Sequence, residues 1–299
     1  MKLYTIGLGC VLPGLLAAAA PAENLDAAAG TNAVVATDPR FGLLDGLDHR
    51  SAYYEEFFPQ PLLVDDTGLE PDGELEFASL STRAGSQRSD MVSAGVQQSF
   101  GLLTVELSVP YEYISDGDSH SQGVGSLDLG VRYPLYQFVS DGKFFDSTFG
   151  VAMEAGLPVN SEVSKNTELT PKVFDDVKLG ENFSVQAVLG YSTLLGGGDQ
   201  GGLRTFEYGF DFGWQVSHGE LPLPGVQQFI PMLELSGETE LNQADAGQNS
   251  LLGCLGFRLN LKPIGDLQPS LGLGYVFPVD NGAHAEVHYG LATSLTFDF

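Results

Sequence analysis

His284-Ala285-Glu286-Val287-His288 sets three residues of metal-ligand type at every second position. On a strand, period two would put both imidazoles and the carboxylate on one face, an arrangement able to hold a divalent metal. Isolated polar residues on a strand are the commoner meaning of such a row, and no metal is expected here. His49, His120 and His218 stand in no G-x-S-x-G or H-E-x-x-H context, so no nucleophile–base pair or zincin helix is written into the chain. Asp116 and Asp118 lack the spacing of an EF-hand loop. We therefore expect no catalysis and no cofactor. A wider set of charges lies singly between apolar residues: Glu106, Asp128, Arg132, Glu154, Glu207, Asp211, Glu234, Arg258 and Glu286. Gathered on one surface, these groups have two possible uses. The arginines can bridge the carboxylates as internal ion pairs, or the excess of acid can form a cation-preferring constriction. The first is the blander and commoner arrangement.

Alternation is what would gather them. Leu103, Val105, Leu107, Val109, Tyr111 and Tyr113 alternate with Thr104, Glu106, Ser108, Pro110 and Glu112. Phe206, Tyr208, Phe210, Phe212, Trp214 and Val216 alternate with Glu, Gly, Asp and Gln. Similar rows start at Leu127, Phe145, Phe183, Leu251 and Leu271, and less regular ones cover residues 74–82, 91–100, 169–179 and 229–235. Period two with one apolar face means strands. With the last row the count is about twelve, an even number suited to a closed antiparallel transmembrane β-barrel with both ends on one side. The connections alternate too. Residues 115–123, 160–168, 196–202 and 237–248 read as long polar loops, whereas 100–101, 180–182 and 263–266 read as short turns. That is the outer-membrane asymmetry, with long loops outside and short turns in the periplasm. Residues 217–225 are a long connection on the short side. Tyr111, Tyr113, Tyr191 and Tyr275 fall toward one set of strand ends, and Tyr133, Trp214, Phe297 and Phe299 toward the other, as in two interfacial girdles. If the aromatic rows face lipid, the charged rows face a lumen. Gly130, Gly150, Gly190, Gly209, Gly213, Gly256 and Gly290 then remove volume from it, leaving either a channel or room for close packing.

The chain starts with Met1-Lys2, an uncharged run from Leu3, and Ala20-Pro21-Ala22. This pattern predicts a secretory signal peptide over residues 1–22. Cys254 is then the sole cysteine of the mature chain, read as packing rather than chemistry. No later uncharged stretch is long enough for a membrane helix. Residues 23–72 are irregular, with Phe57-Phe58-Pro59-Gln60-Pro61 and Glu70-Pro71-Asp72-Gly73 arguing against strands. Phe41, Leu43, Leu44, Tyr53, Tyr54, Phe57 and Phe58 are too many large apolar groups for a freely solvated tail. We expect this periplasmic segment to dock at the barrel mouth as a plug, with Tyr53 to Pro61 at or inside it. The net charge of −26 argues against nucleic-acid binding.

The last row, Tyr289 to Phe299, is strictly alternating and ends on an aromatic. Tyr289, Leu295, Phe297 and Phe299 resemble the terminal signal by which bacterial outer-membrane barrels are recognised by the barrel-assembly machinery. A family resemblance joins it. Gly123-Val124-Gly125-Ser126-Leu127-Asp128-Leu129-Gly130-Val131-Arg132-Tyr133 resembles the G-x-G-D-L-x-L-G-x-K-Y strand of barrels in the family called MetA-pathway of phenol degradation. Ser126 stands where that family usually has Asp, and Arg132 where it often has Lys. Ala155-Gly156-Leu157-Pro158 is similar to its L-P-T-G strand end without the Thr-Gly. The resemblance implies an outer-membrane location and passage of small, often aromatic, molecules. The sequence thus predicts an all-β fold: a closed antiparallel transmembrane β-barrel over residues 73–299, preceded by a signal peptide (1–22) and an irregular segment (23–72). Its expected partners are outer-membrane lipid, lipopolysaccharide, the assembly machinery and a small-molecule solute. The rival is a structural or surface-adhesive outer-membrane protein without transport.

Overall fold

Alternation along a strand leaves it with one face that water cannot solvate and one that lipid cannot, and closing the sheet on itself satisfies both. The computed structural model is built this way. It describes residues 58–67, 73–100, 102–139, 144–160, 164–196 and 201–299. The expected signal peptide and most of the irregular segment lie outside these residues. The strands are β1 (Gly73–Ala84), β2 (Gln87–Phe100), β3 (Leu103–Asp116), β4 (Ser119–Val124), β5 (Ser126–Val139), β6 (Phe145–Pro158), β7 (Thr167–Leu179), β8 (Phe183–Leu195), β9 (Arg204–Trp214), β10 (Val216–Ser217), β11 (Val226–Glu240), β12 (Asn249–Leu261), β13 (Gln268–Pro278) and β14 (Tyr289–Asp298). The fourteen segments make twelve staves, because β4 and β5 share one stave broken at Gly125, and β9 and β10 share another broken at Gln215. Every pairing is between antiparallel neighbours, and β14 pairs β1 to close the barrel in the register Glu74↔Asp298 to Arg83↔Tyr289. The seam reaches the last residue: the Gly73 N–H donates to the Phe299 carbonyl at 3.1 Å and the Phe299 N–H to the Gly73 carbonyl at 2.9 Å.

The burial pattern inverts that of a soluble protein. Phe77, Val92, Leu107, Leu129, Met153, Phe206, Leu255, Leu273 and Leu291 are exposed, while Glu74, Lys172, Asp176, Asp211, Glu234 and Arg258 are buried. Only a lipid-facing outer wall makes that arrangement stable. The lumen is not uniformly polar. Cys254, Val276 and Ala292 form an inward apolar patch with Leu62, Leu63, Leu80 and Leu252 packed on it. Cys254 is a buried free thiol there, as its packing role requires.

Three stretches differ from expectation. Residues 115–123 are not a loop. β3 and β4 run on as a hairpin, pairing Asp116 with Ser119 across Gly117-Asp118. Gly117 sits at φ 58°, the left-handed conformation such a tight turn needs. Polar residues on both faces hid the strands, because a hairpin standing in water needs no apolar face. The same holds at residues 237–240, which continue β11. The row His284-x-Glu286-x-His288 is not on a strand either. Residues Asn281–Glu286 form a short helix, α1, capped by the Asp280 side chain. His284 and His288 meet edge-on with centroids 5.1 Å apart, but period two no longer aligns them with Glu286. Among the described residues no group of three or more His, Cys, Asp or Glu is arranged to hold a metal.

Candidate functional site

Residues 58–67 lie inside the barrel, on the inward faces of its strands. Pro59, Gln60, Pro61, Val64 and Thr67 are buried, and Asp65 is exposed. The fit depends on missing side chains. A Cβ on Gly213 would lie 3.1 Å from Pro59 Cγ, and Cβ atoms on Gly256 and Gly274 would each lie 3.0 Å from Leu62 Cδ1. Val64 occupies the space left by Gly209. Three glycines on β12 and β13 (Gly256, Gly272 and Gly274) thus form a trough for Leu62. Of the lumen glycines anticipated from sequence, Gly209, Gly213 and Gly256 make room for the segment, while Gly190 and Gly209 also border open space.

Polar groups fix the segment at both flanks. The Glu234 carboxylate on β11 accepts three successive backbone N–H groups, from Leu62 (3.0 and 3.1 Å), Leu63 (2.7 Å) and Val64 (3.0 Å). A single carboxylate that accepts three successive backbone N–H groups clasps that stretch of chain. Arg258 on β12 donates to Gln60 (2.9 Å), and Gln60 donates to Glu74 on β1 (2.7 Å). Gln186 on β8 donates to the Pro59 carbonyl (2.5 Å) and to Asp211 (3.2 Å). The Thr67 hydroxyl donates to Asp176 on β7. Arg132 on β5 pairs with Asp66 at 3.0 Å and lies 3.8 Å from Glu106. Lys172 on β7 pairs with Asp65 at 2.7 Å and with Glu154. Five staves therefore contribute charged side chains to one short segment.

Of the nine charged residues singled out from sequence, eight lie on inward strand faces, and Glu286 lies on α1. Arg132, Arg258 and Glu234 touch the segment directly. Glu106 and Glu154 touch it through the cations they share, and Asp211 does so through Gln186. Asp128 stands one register position from this group, opposite Ser108 and Gly156. Glu207 lies away from the segment's polar contacts and lines an open cavity of about 290 Å³ beside Val64 and Asp65. Glu238, Glu286 and Lys172 also line it, together with the apolar Val188 and Leu252. Sequence reasoning missed Lys172, Asp176 and Gln186, which hold the segment from β7 and β8. Phe174, buried and inward, broke the polar row between Lys172 and Asp176. The outward Asp175, hydrogen-bonded by Ser147 at 2.6 Å, blurred the opposite face.

No protein-family model and no curated protein matches the chain. Among solved structures, an outer membrane channel from Pseudomonas putida F1 is similar at 17% identity and a TM-score of 0.51, over 79% of this chain and 100% of that one. The NanC porin is similar at 10% identity and a TM-score of 0.45, over 75% of this chain and 98% of that one. The KdgM porin is similar at 10% and 0.41, over 76% and 99%. At such identities the likeness is one of fold. The first of these likenesses agrees with the exposed apolar outer wall and the closed seam: the chain is a closed twelve-stranded antiparallel β-barrel of the outer-membrane type.

Proposed function

We propose that this barrel is a passive channel for small solutes, narrowed by residues 58–67 entering from the periplasmic mouth, and that it does no catalysis. The observation that carries the reading is the pairing of an acid-lined cavity with a segment held by side-chain contacts at its floor. A purely structural barrel gains nothing from keeping Glu207, Glu238 and Glu286 around open space. Carboxylates around a narrow, low-dielectric passage favour cations. The apolar wall at Val188 and Leu252 suits solutes with an apolar part. The resemblance of residues 123–133 to phenol-degradation barrels makes small aromatic molecules the first to try. Tyr289, Leu295, Phe297 and Phe299 serve recognition by the assembly machinery in this reading.

Conductance in a planar bilayer tests it. The full chain should give small, cation-preferring currents under a salt gradient. A chain lacking residues 23–65, with the signal kept, should give a folded barrel with larger currents of the same preference. Silence from both folded proteins would leave the structural or adhesive reading in its place.

A further inference from the structure

Among the described strand residues, outward cations are confined to one rim. They are Arg83, Arg88 and Arg204, all at the rim away from the chain's last residue. The outward residues at the opposite rim include Leu75, Phe100, Phe145, Trp214 and Phe297, with no outward base among those described. Arg83 and Arg88 stand directly opposite each other across the β1–β2 hairpin. Like charges in that position repel. Asp90 offsets the repulsion by pairing with both, with Arg83 at 2.8 Å and with the Arg88 Nε. One positive charge remains over, in a chain of net charge −26. The Arg88 guanidinium lies 5.5 Å from the centroid of the Tyr113 ring, and Tyr113 stacks on His120 at 6.3 Å. Tyr289, opposite Arg83 on β14, is exposed beside them.

Height identifies the surroundings. Arg83 is ten residues along β1 from Gly73. That is about 33 Å of strand, or roughly 25 Å along the membrane normal at a 40° tilt, which is the height of a barrel's apolar band. Below the pair the wall is apolar and exposed, at Val92, Tyr111 and Leu291. A ligand fitting both parts carries phosphate at the top and acyl chains beneath. Guanidinium forks match phosphate bidentately. Free phosphate has no acyl chain to hold it against the repulsion of so acidic a protein.

We propose that the outward face of the β1–β2 hairpin binds the phosphorylated sugar headgroup of an outer-leaflet lipopolysaccharide, with Arg83 and Arg88 on one phosphate and Tyr113 and Tyr289 at its sugar–acyl boundary. The site is independent of solute passage and rests on the loop rim being external. The test compares the full chain with R83Q/R88Q and R204Q, each extracted from outer membranes and analysed by native mass spectrometry. The full chain and R204Q should retain lipopolysaccharide. R83Q/R88Q should retain at least about tenfold less while keeping heat-modifiable mobility and its channel current. Equal retention by the double variant overturns the proposal. In case that variant fails to fold, delipidated full-length protein is titrated with bisphosphorylated lipid A, dephosphorylated lipid A, phosphatidylglycerol vesicles and inorganic phosphate. Binding confined to the first supports the site. Equal binding of dephosphorylated lipid A, or displacement by inorganic phosphate, overturns it.

Discussion

Replacing Glu234 by alanine removes the acceptor for three backbone N–H groups at once. A hydrogen bond to a charged group contributes about 1.5–3 kcal/mol. The three share one carboxylate, and the freed donors would meet lumen water. The whole clasp is therefore worth about 3 kcal/mol rather than three times the single value. That lowers the ratio of docked to undocked segment by about a hundredfold. The contacts of Arg132, Lys172 and Arg258 remain, so the segment should still be docked for most of the time. E234A should show brief, fully open events in single-channel records that the parent lacks, together with faster proteolysis near residues 58–67. The barrel itself should stay folded, because the change leaves Asp211 without a like-charged cross-strand neighbour. E234Q keeps one acceptor oxygen but turns an N–H against the chain, so it should resemble E234A more than the parent. If both variants fold, keep the parent's conductance and protect the segment equally, the clasp does not hold the segment and the reasoning fails.

Phe210→Arg puts a cation on the lipid face in mid-strand and should cost roughly 2–4 kcal/mol of barrel stability in urea-dependent folding. Asp211→Asn, one residue along and inward, should fold as the parent does, and identical behaviour of the two would overturn the face assignment. Deleting Phe299 removes the last pair of the β1–β14 seam. Unfolded precursor should then accumulate in the periplasm, and normal membrane yield would contradict an assembly role for this residue. Asp280, in the loop before α1, is subject to burial, which raises its carboxyl pKa. Hydrogen bonds from the Ala283 N–H, Asn249 and the Leu251 N–H outweigh that and hold it below its ordinary value. A depressed folded pKa gives stabilisation that is complete above the unfolded value, about 3.9, and lost as pH falls through the folded one. Hydrogen-exchange protection at the Ala283 and Val287 amides should therefore hold at neutral pH and fade only in acid, while D280N should lose it at neutral pH.

The barrel was legible because lipid enforces what water does not. Phe206 to Trp214 must alternate strictly, since each outward position meets hydrocarbon, and that regularity is visible in the residues themselves. Where the wall leaves the membrane the constraint lapses. The β3–β4 hairpin above Tyr113 is polar on both faces and read as a loop. Inward positions obey a weaker rule still, because they answer to whatever fills the lumen. Ile230, Met232 and Phe174 face inward and are buried. The inward charges could be named one by one, but their partners could not. Glu234 is satisfied by backbone N–H groups some 170 residues earlier in the chain, which carry no side-chain signal.

The proposed channel would separate what narrows it from what selects in it. Asp211 and Glu234 are cross-strand neighbours pointing inward, and both are fully buried. Two adjacent carboxylates in a packed interior are tolerable only with donors aimed at them, and the segment's backbone supplies three to Glu234. Withdrawing the segment would replace those donors with water, so the lumen would pass from packed to wet without a change in the wall. It would take Asp65 and Asp66 away, release Lys172 and Arg132 to Glu154 and Glu106, and uncover Asp211 and Glu234. The exposed wall would still carry more acid than base. In the proposed channel, size would therefore belong to residues 58–67 and charge preference to the strands. A channel opened by loss of the segment should conduct more while its reversal potential under a salt gradient keeps the same sign.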